Sequence, residues 1–470
     1  IKQIKAKAAQ QLKTKQMPEK ARGLLEGRID AHSDGYAFFI PDSGDDLFVP
    51  SARLKGALHG DRVRVKTSRF RGRPEAHVVE IVERNFTTIV GRIEERKRYY
   101  LVIPFHRKFT QPLYIRKAEH DNYRDGDVVR CEITKYPDNN PAGAKYSRAE
   151  GRILEKLGNI DDKGIENLIV MSKYSLEREA PDAVTAEAEK RAKVLPLKGE
   201  NPGRHDMRKL FTVTIDGESA RDFDDAISIE KTKTGYSLYV HIADVAHYVI
   251  PGTVLDTEAY QRATSVYFPE FAIPMLPEVL SNGACSLRPD EDRFTMSVKI
   301  DYNNSGERQK AYYYQSVICS NHRLTYTYVN EVLAGEKPIN KELGELIYDS
   351  HELMQKIHAR RLKNGTIDFD LPDVDFIFDD NGDIVRIQPE ERGISERIIE
   401  HFMIEANEAV AEFLEEKAPV GIFRNHARPD YSKIEQWSKN ARKRGVDGGA
   451  LPAEVTGEVV QKRFEMIAEK

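Results

Sequence analysis

Four aspartates, Asp216, Asp222, Asp224 and Asp225, lie within the stretch FTVTIDGESARDFDDAISIE. Carboxylates this close oppose one another's ionisation unless a cation screens them. Mg2+ or Mn2+ suits such a cluster, because a hard ion prefers carboxylate oxygen and keeps positions open for a substrate phosphate. Two-metal phosphoryl transfer requires this inventory. The same residues also occur in solvated turns and incidental calcium loops, so type and spacing alone leave both readings open. Asp222 and Asp224 also form a D-x-D pair, as in some phosphatases and glycosyltransferases. The aspartyl-phosphatase pattern asks for Thr or Val two residues past the second Asp, where this chain has Ala226, and it has no place for Asp216.

Two strands must position these groups. Phe211, Val213 and Ile215 alternate with Thr212 and Thr214, which predicts a strand with one buried face. Ala226 to Ile229 returns to short apolar residues. The carboxylates are therefore expected on a loop between strands, where Gly217, Ser219 and Ala220 leave room for a ligand.

The whole run IDGESARDFDDAIS (215–228), followed by YVHIADVAHYV (239–249), resembles the signature of the RNB exoribonucleases. This is the family of ribonucleases II and R, and the likeness is closer to the ribonuclease R branch. TSVYFP (264–269), IPMLP (273–277), CSLRP (285–289) and IIEHFMIEAN (398–407) follow in the family's order. The resemblance implies metal-dependent, processive hydrolysis of single-stranded RNA from a free 3′ end, giving 5′-mononucleotides and a short end product. Mg2+ is the implied cofactor, with Mn2+ as a substitute. Asp216, Asp222 and Asp225 match the metal-binding aspartates, and Asp224 matches the one whose loss most specifically abolishes cleavage. Tyr267 and Phe369 match rings that clamp terminal nucleotides. Tyr326, in RLTY, matches a tyrosine that limits the shortest product. Glu400 matches a carboxylate that reaches the terminal ribose, whose 2′-hydroxyl separates RNA from DNA. Arg288, His241 and Asp244 lie in matching motifs without an assignable role, and His241 also fits a satisfied core histidine. The family continues into an arginine-bearing segment and an S1 domain. Neither occurs before Lys470, which implies a catalytic domain cut short at this C-terminus.

The expected fold class is multidomain, with two tandem all-β OB-fold (cold-shock-like) barrels followed by an α+β RNB catalytic domain. Residues 1–22 carry seven Lys/Arg and one Glu and form a basic arm, either a phosphate-binding element or a solubilising tail. Short alternating segments over 23–84 predict a first barrel, and a second unit follows over 85–157. Gly60-Asp61 and Gly126-Asp127 recur in the two units, which suggests duplication. Tyr36, Phe38 and Phe48 resemble the aromatic RNA-contact motifs of cold-shock barrels and are candidate stacking residues. Alternate aromatics also fill barrel interiors, and of Phe38 and Phe39 at least one must be core. A charged connector spans 158–205, and the catalytic domain spans 206–470. On Glu400's helix, Ile399, Phe402, Met403, Ala406 and Val410 predict a buried stripe.

A net charge of −4 does not by itself indicate a nucleic-acid partner. No apolar run approaches a membrane span, no secretory signal is visible, and Cys131, Cys285 and Cys319 lack pairing or metal-ligand spacing. These features predict reduced thiols in a cytoplasmic protein, with protein partners unreadable.

Overall fold

The computed structural model describes residues 24–468 apart from 33, 71–72, 110, 118–121, 138–147, 367–372, 380–383, 391, 424–430, 447–450 and 452–455. The basic arm and Phe369 therefore lie outside the described residues. The chain divides into two units, Ile1–Arg178 and Glu179–Lys470.

The first unit holds two closed barrels. One comprises β1 (Leu25–Ala31), β2 (Ala37–Pro41), β3 (Leu47–Val49), β4 (Arg62–Phe70) and β5 (Arg73–Glu83). The other comprises β6 (Thr88–Glu95), β7 (Tyr99–Pro104), β8 (Leu113–Arg116), β9 (Asp127–Lys135) and β10 (Ala149–Asn159). Both follow one circular order, in which the fifth strand lies between the third and fourth. Gly27 in β1 pairs with Pro41 and Val63, and Gly91 in β6 pairs with Pro104 and Val129. A Cβ at Gly27 would stand 2.2 Å from Ile40 O, and one at Gly91 2.5 Å from Ile103 O, so neither first strand tolerates a side chain there.

The Gly-Asp repeat is a shared turn. Gly60 and Gly126 have φ of 82° and 86°. The following aspartates, both fully buried, accept from the backbone N–H three residues earlier, Leu58 to Asp61 at 2.8 Å and Arg124 to Asp127 at 3.1 Å. Arg84 pairs with Asp61 and Lys156 with Asp127, each at 2.8 Å, so both buried charges are compensated. α1 (Ile165–Tyr174) closes this unit and buries Ile165 and Ile169 against Val90 and Val128.

The second unit starts with α2 (Asp182–Ala192). A seven-stranded sheet runs β11 (His205–Asp206), β18 (Arg308–Cys319), β17 (Asp292–Asn303), β14 (Gly235–Ala243), β13 (Asp225–Thr232), β12 (Val213–Asp216) and β19 (His322–Thr325). Its edge pairs are parallel and the interior pairs antiparallel. α3 (Val245–Tyr248), α4 (Val254–Arg262) and the two-stranded hairpin β15 (Val266–Tyr267) and β16 (Ala272–Ile273) intervene between β14 and β17. After β19 come α5 (Tyr326–Leu333), α6 (Lys341–Lys363), a hairpin of β20 (Asp373–Phe378) and β21 (Ile384–Glu390), α7 (Ile394–Lys417), α8 (Tyr431–Lys443) and α9 (Gly457–Ala468).

Two apolar cores meet this sheet. Val213, Ile215, Ile227, Leu238, Val240 and Ile300 pack with α5, α6 and α7 through Val329, Leu346 and Phe402. Phe223, Ala226, Ala243, Phe294 and Val317 pack with α2, α3 and α4 through Ala188, Tyr248 and Leu255. Alternate residues flanking the aspartates enter different cores, which fixes the strand ends that carry them. Thr212, just before β12, and Ser228, His241, Ser297, Ser316 and Thr295 on four strands form a buried hydrogen-bonded row. Burial pushes the His241 imidazole down to about 3, so it stays neutral between Ser228 and Ser297. This is the satisfied core histidine, outside the chemistry.

On α7 the stripe differs from the predicted one. Val410 is exposed, and Ala409 is fully buried in its place. Steps of four and three residues from Phe402 through Ala406 to Ala409 keep to the face of a 3.6-residue helix, whereas 410 drifts off it. No helix among the described residues is long and apolar enough to cross a membrane.

Candidate active site

Asp216 ends β12 and Asp225 begins β13, so residues 217–224 form the predicted loop between strands. Its backbone is tied down at both ends. The Arg323 guanidinium donates to Gly217 O at 2.5 Å and Glu218 O at 3.1 Å. Ser286 Oγ donates to Arg221 O at 2.8 Å and accepts from Phe223 N at 3.1 Å. Leu287 N donates to Phe223 O, and Ala243 N to Asp224 O, each at 2.9 Å. These bonds hold the main chain and leave the carboxylates for other partners. A π-turn over Val279–Ala284 leads into Ser286, a distortion frequent at functional sites.

The loop is electrostatically unfavourable when empty. Burial and then the Asp225 charge push the Asp216 carboxyl up to about 7. Burial and then Asp224 push Asp225 up to about 6. Asp224 faces solvent, yet its carboxyl is also raised, by the surrounding protein mass and then by Asp222. Asp216 Oδ2 and the nearby Thr214 Oγ1 are buried without a hydrogen-bond partner. An orphaned carboxylate oxygen among mutually repelling carboxylates is a donor set that fits a hard divalent cation. Among the described residues no three His, Cys, Asp or Glu side chains form a ready cage. Mg2+ is usually held by one or two carboxylates, with waters and substrate phosphate completing the shell.

Tyr326 stands at this site. It opens α5, whose N-cap Thr325 accepts from Tyr328 N, and Thr325 is the register partner of Asp216. Burial, then Asp216 and Asp225, push its phenol up to about 12, so the hydroxyl keeps its proton beside the carboxylates. The other candidates occupy separate elements. Tyr267 is 74% exposed on the β15–β16 hairpin, an open ring surface. Glu400 is exposed on α7 and pairs with Arg392 at 2.9 Å. One turn further on, buried Glu405 accepts from Tyr302 Oη at 2.9 Å and pairs with Arg360, which fixes the helix that presents Glu400.

In the first barrel Phe39 is fully buried, whereas Phe38 and Phe48 are 40% and 37% exposed. The open choice of parity therefore resolves with Phe38 outside. Tyr36, Phe38 and Phe48 form one cluster with centroids 5.4–6.1 Å apart, and His32 stacks on Tyr36 at 4.4 Å. On the second barrel Tyr99 lies 5.3 Å from Tyr114, over which Arg148 stacks at 4.5 Å. That group, Ser286 and Arg323 escaped assignment from sequence, although CSLRP and RLTY marked the segments of the last two. Asp244 pairs with Arg204 at 2.6 Å, and Arg288 donates to Asn282 O.

Two OB-fold barrels ahead of an α+β domain with an acidic loop form the architecture of the RNB nucleases. Three family models match in chain order: a Ribonuclease B OB domain over 27–81, a Cold shock domain over 101–181 and an RNB domain over 204–469. The chain belongs to the RNB family. It is 36% identical over 416 residues to Ribonuclease R of Aquifex aeolicus, covering 88% of this chain and 58% of that one. It is 38% identical over 432 residues to Ribonuclease R of Thermotoga maritima, covering 90% and 60%. The chain thus spans about three-fifths of the length of these relatives. It resembles the solved structure of Mycoplasma genitalium RNase R in complex with ribose methylated single-stranded RNA, with a TM-score of 0.83 and 26% identity, covering 95% of this chain and 70% of that one.

Proposed function

We propose that this protein is a 3′-to-5′ exoribonuclease that degrades single-stranded RNA processively to 5′-mononucleotides and a short end product. The observation that carries this reading is the aspartate loop, in which the carboxyls of Asp216, Asp224 and Asp225 are raised and one Asp216 oxygen is orphaned, in a chain of the RNB family. Asp216, Asp222 and Asp225 would hold Mg2+ or Mn2+, which supplies charge neutralisation at phosphate oxygens and a more acidic water. Asp224, open to solvent, orients the attacking water. Attack at phosphorus breaks the bond to the preceding 3′-oxygen, leaving a 3′-hydroxyl on the chain and a 5′-phosphate on the released nucleotide. Mass analysis of the released nucleotides tests the proposal. Nucleoside 5′-monophosphates are expected, and 3′-phosphates or cyclic phosphates would contradict it.

Tyr326, a protonated phenol beside Asp216 and Asp225, sits where the last nucleotides must lie. Tyr326→Ala is expected to lengthen the end product by a nucleotide or more while cleavage continues. A denaturing gel of limit digests checks this, and an unchanged end product removes Tyr326 from the substrate path. Tyr267, Phe369 and Glu400 complete the proposed grip on terminal bases and ribose.

The first barrel gathers RNA by stacking on Tyr36, Phe38 and Phe48. Phe38→Ala is expected to weaken RNA binding by about 1–3 kcal/mol, the usual worth of one base–aromatic stack. It should leave thermal stability nearly unchanged, whereas Phe39→Ala should destabilise the barrel by about 3–5 kcal/mol. Filter binding and thermal unfolding separate the two.

A further inference from the structure

Arg323 reaches from β19 to the first turn of the acidic loop. β19 runs parallel to β12, with Thr214 opposite Arg323 and Asp216 opposite Thr325. The guanidinium therefore springs from the strand beside the one that ends in a proposed metal ligand. It bonds the carbonyls of Gly217 and Glu218, and its carbon lies 5.6 Å from the centroid of the Phe223 ring at the far side of the loop. Its Nε is buried without a hydrogen-bond partner. One side chain thus touches both arms of the loop, and the proposed chemistry does not otherwise use it.

We propose that Arg323 is a positioning residue for the aspartate loop, a fixed internal cation that fastens the loop's first turn and offsets its negative charge until a divalent ion enters. This inference rests on reading the loop as a metal site. One guanidinium nitrogen, Nη2, donates to both carbonyls while the group's carbon approaches the Phe223 ring; a lysine ammonium, a compact point charge, could meet the carbonyls but has no planar face for the ring. A loop ordered in advance loses less conformational entropy when its ligand binds. Bonds to Gly217 and Glu218 carbonyls also engage Arg323 with the protein itself, which favours support of the ligands over direct contact with RNA.

The test is a Mn2+ titration followed by electron paramagnetic resonance, without RNA, on the wild type, Arg323→Lys and Arg323→Gln, with Asp216→Asn as a site control. Residues that support metal ligands typically contribute 10- to 100-fold to metal affinity, so a loss of roughly that size is expected for Arg323→Gln. Arg323→Lys should fall between it and the wild type. RNA hydrolysis should lose kcat at subsaturating Mn2+, while KM for RNA stays within about twofold. Equal Mn2+ affinities in all three proteins would overturn the role, and so would a loss confined to KM, which would mark a substrate contact instead. If Arg323→Gln fails to fold, Arg323→Lys decides alone, with weakened Mn2+ binding in support and wild-type binding against. A wild type that binds no Mn2+ at this loop overturns the metal-site reading and this role with it. Wild-type binding that is indifferent to residue 323 overturns the role alone.

Discussion

Asp224→Asn is expected to reduce RNA hydrolysis by roughly 10³-fold or more, the scale on which catalysis depends on a charge placed at the reacting phosphate. RNA binding should survive. Asp224 faces solvent from a loop whose backbone is fastened independently of its side chain, through Ala243 N to Asp224 O and Ser286 to Phe223 N. Asparagine keeps the size and removes the charge, so neither the loop nor the aromatic cluster of the first barrel should change. Single-turnover cleavage and equilibrium binding on the same preparation separate the two effects. Near wild-type cleavage would remove Asp224 from the chemistry, and lost binding would give it a structural role.

Asp216→Asn is expected to abolish turnover to a similar degree and, unlike most substitutions, to stabilise the metal-free protein above neutral pH. The Asp216 carboxyl rises from 3.8 to about 7 on folding, chiefly through burial and the Asp225 charge. Between those values the folded chain holds a proton that the unfolded chain releases, so this group lowers stability as pH climbs from about 4 to about 7. Asparagine removes that dependence. At pH 8 without metal the variant should gain on the order of 2 kcal/mol, or roughly 3 °C in Tm for the large unit that holds Asp216. Mg2+ should raise the wild-type Tm at pH 8, do much less at pH 5, where Asp216 is protonated, and leave the variant nearly unmoved. Thermal scans at both pH values, with and without Mg2+, check all three. A variant less stable than the wild type at pH 8, or an equal response to Mg2+, would contradict the account.

The loop was legible because strand alternation is local. Phe211, Val213 and Ile215 on one side and Ala226 to Ile229 on the other bracket the aspartates, and β12 and β13 end and begin at Asp216 and Asp225. Barrel duplication was legible from Gly60-Asp61 and Gly126-Asp127, since a positive φ followed by a capping carboxylate leaves a sequence mark. Parity alone could not orient Phe38 and Phe39, because both neighbours are aromatic and either face would accept one. The supports of the loop were hidden for another reason. Ser286 reaches Phe223 across 63 residues and Arg323 reaches Gly217 across 106, and neither contact has a local periodicity. His241 read either as core or as site, and only its bonds to Ser228 and Ser297 decide for the core. The nearness of Tyr326 to Asp216 was implied by family resemblance, while the pairing of Asp216 with Thr325 supplies its physical cause.

The most direct test of the central claim uses 5′-labelled single-stranded RNA incubated with the protein in Mg2+ or in EDTA and resolved on a sequencing gel. Conversion to a short end product in Mg2+ without a ladder of intermediates, and intact RNA in EDTA, are expected. RNA that is bound but left uncut in both Mg2+ and Mn2+ would contradict the claim.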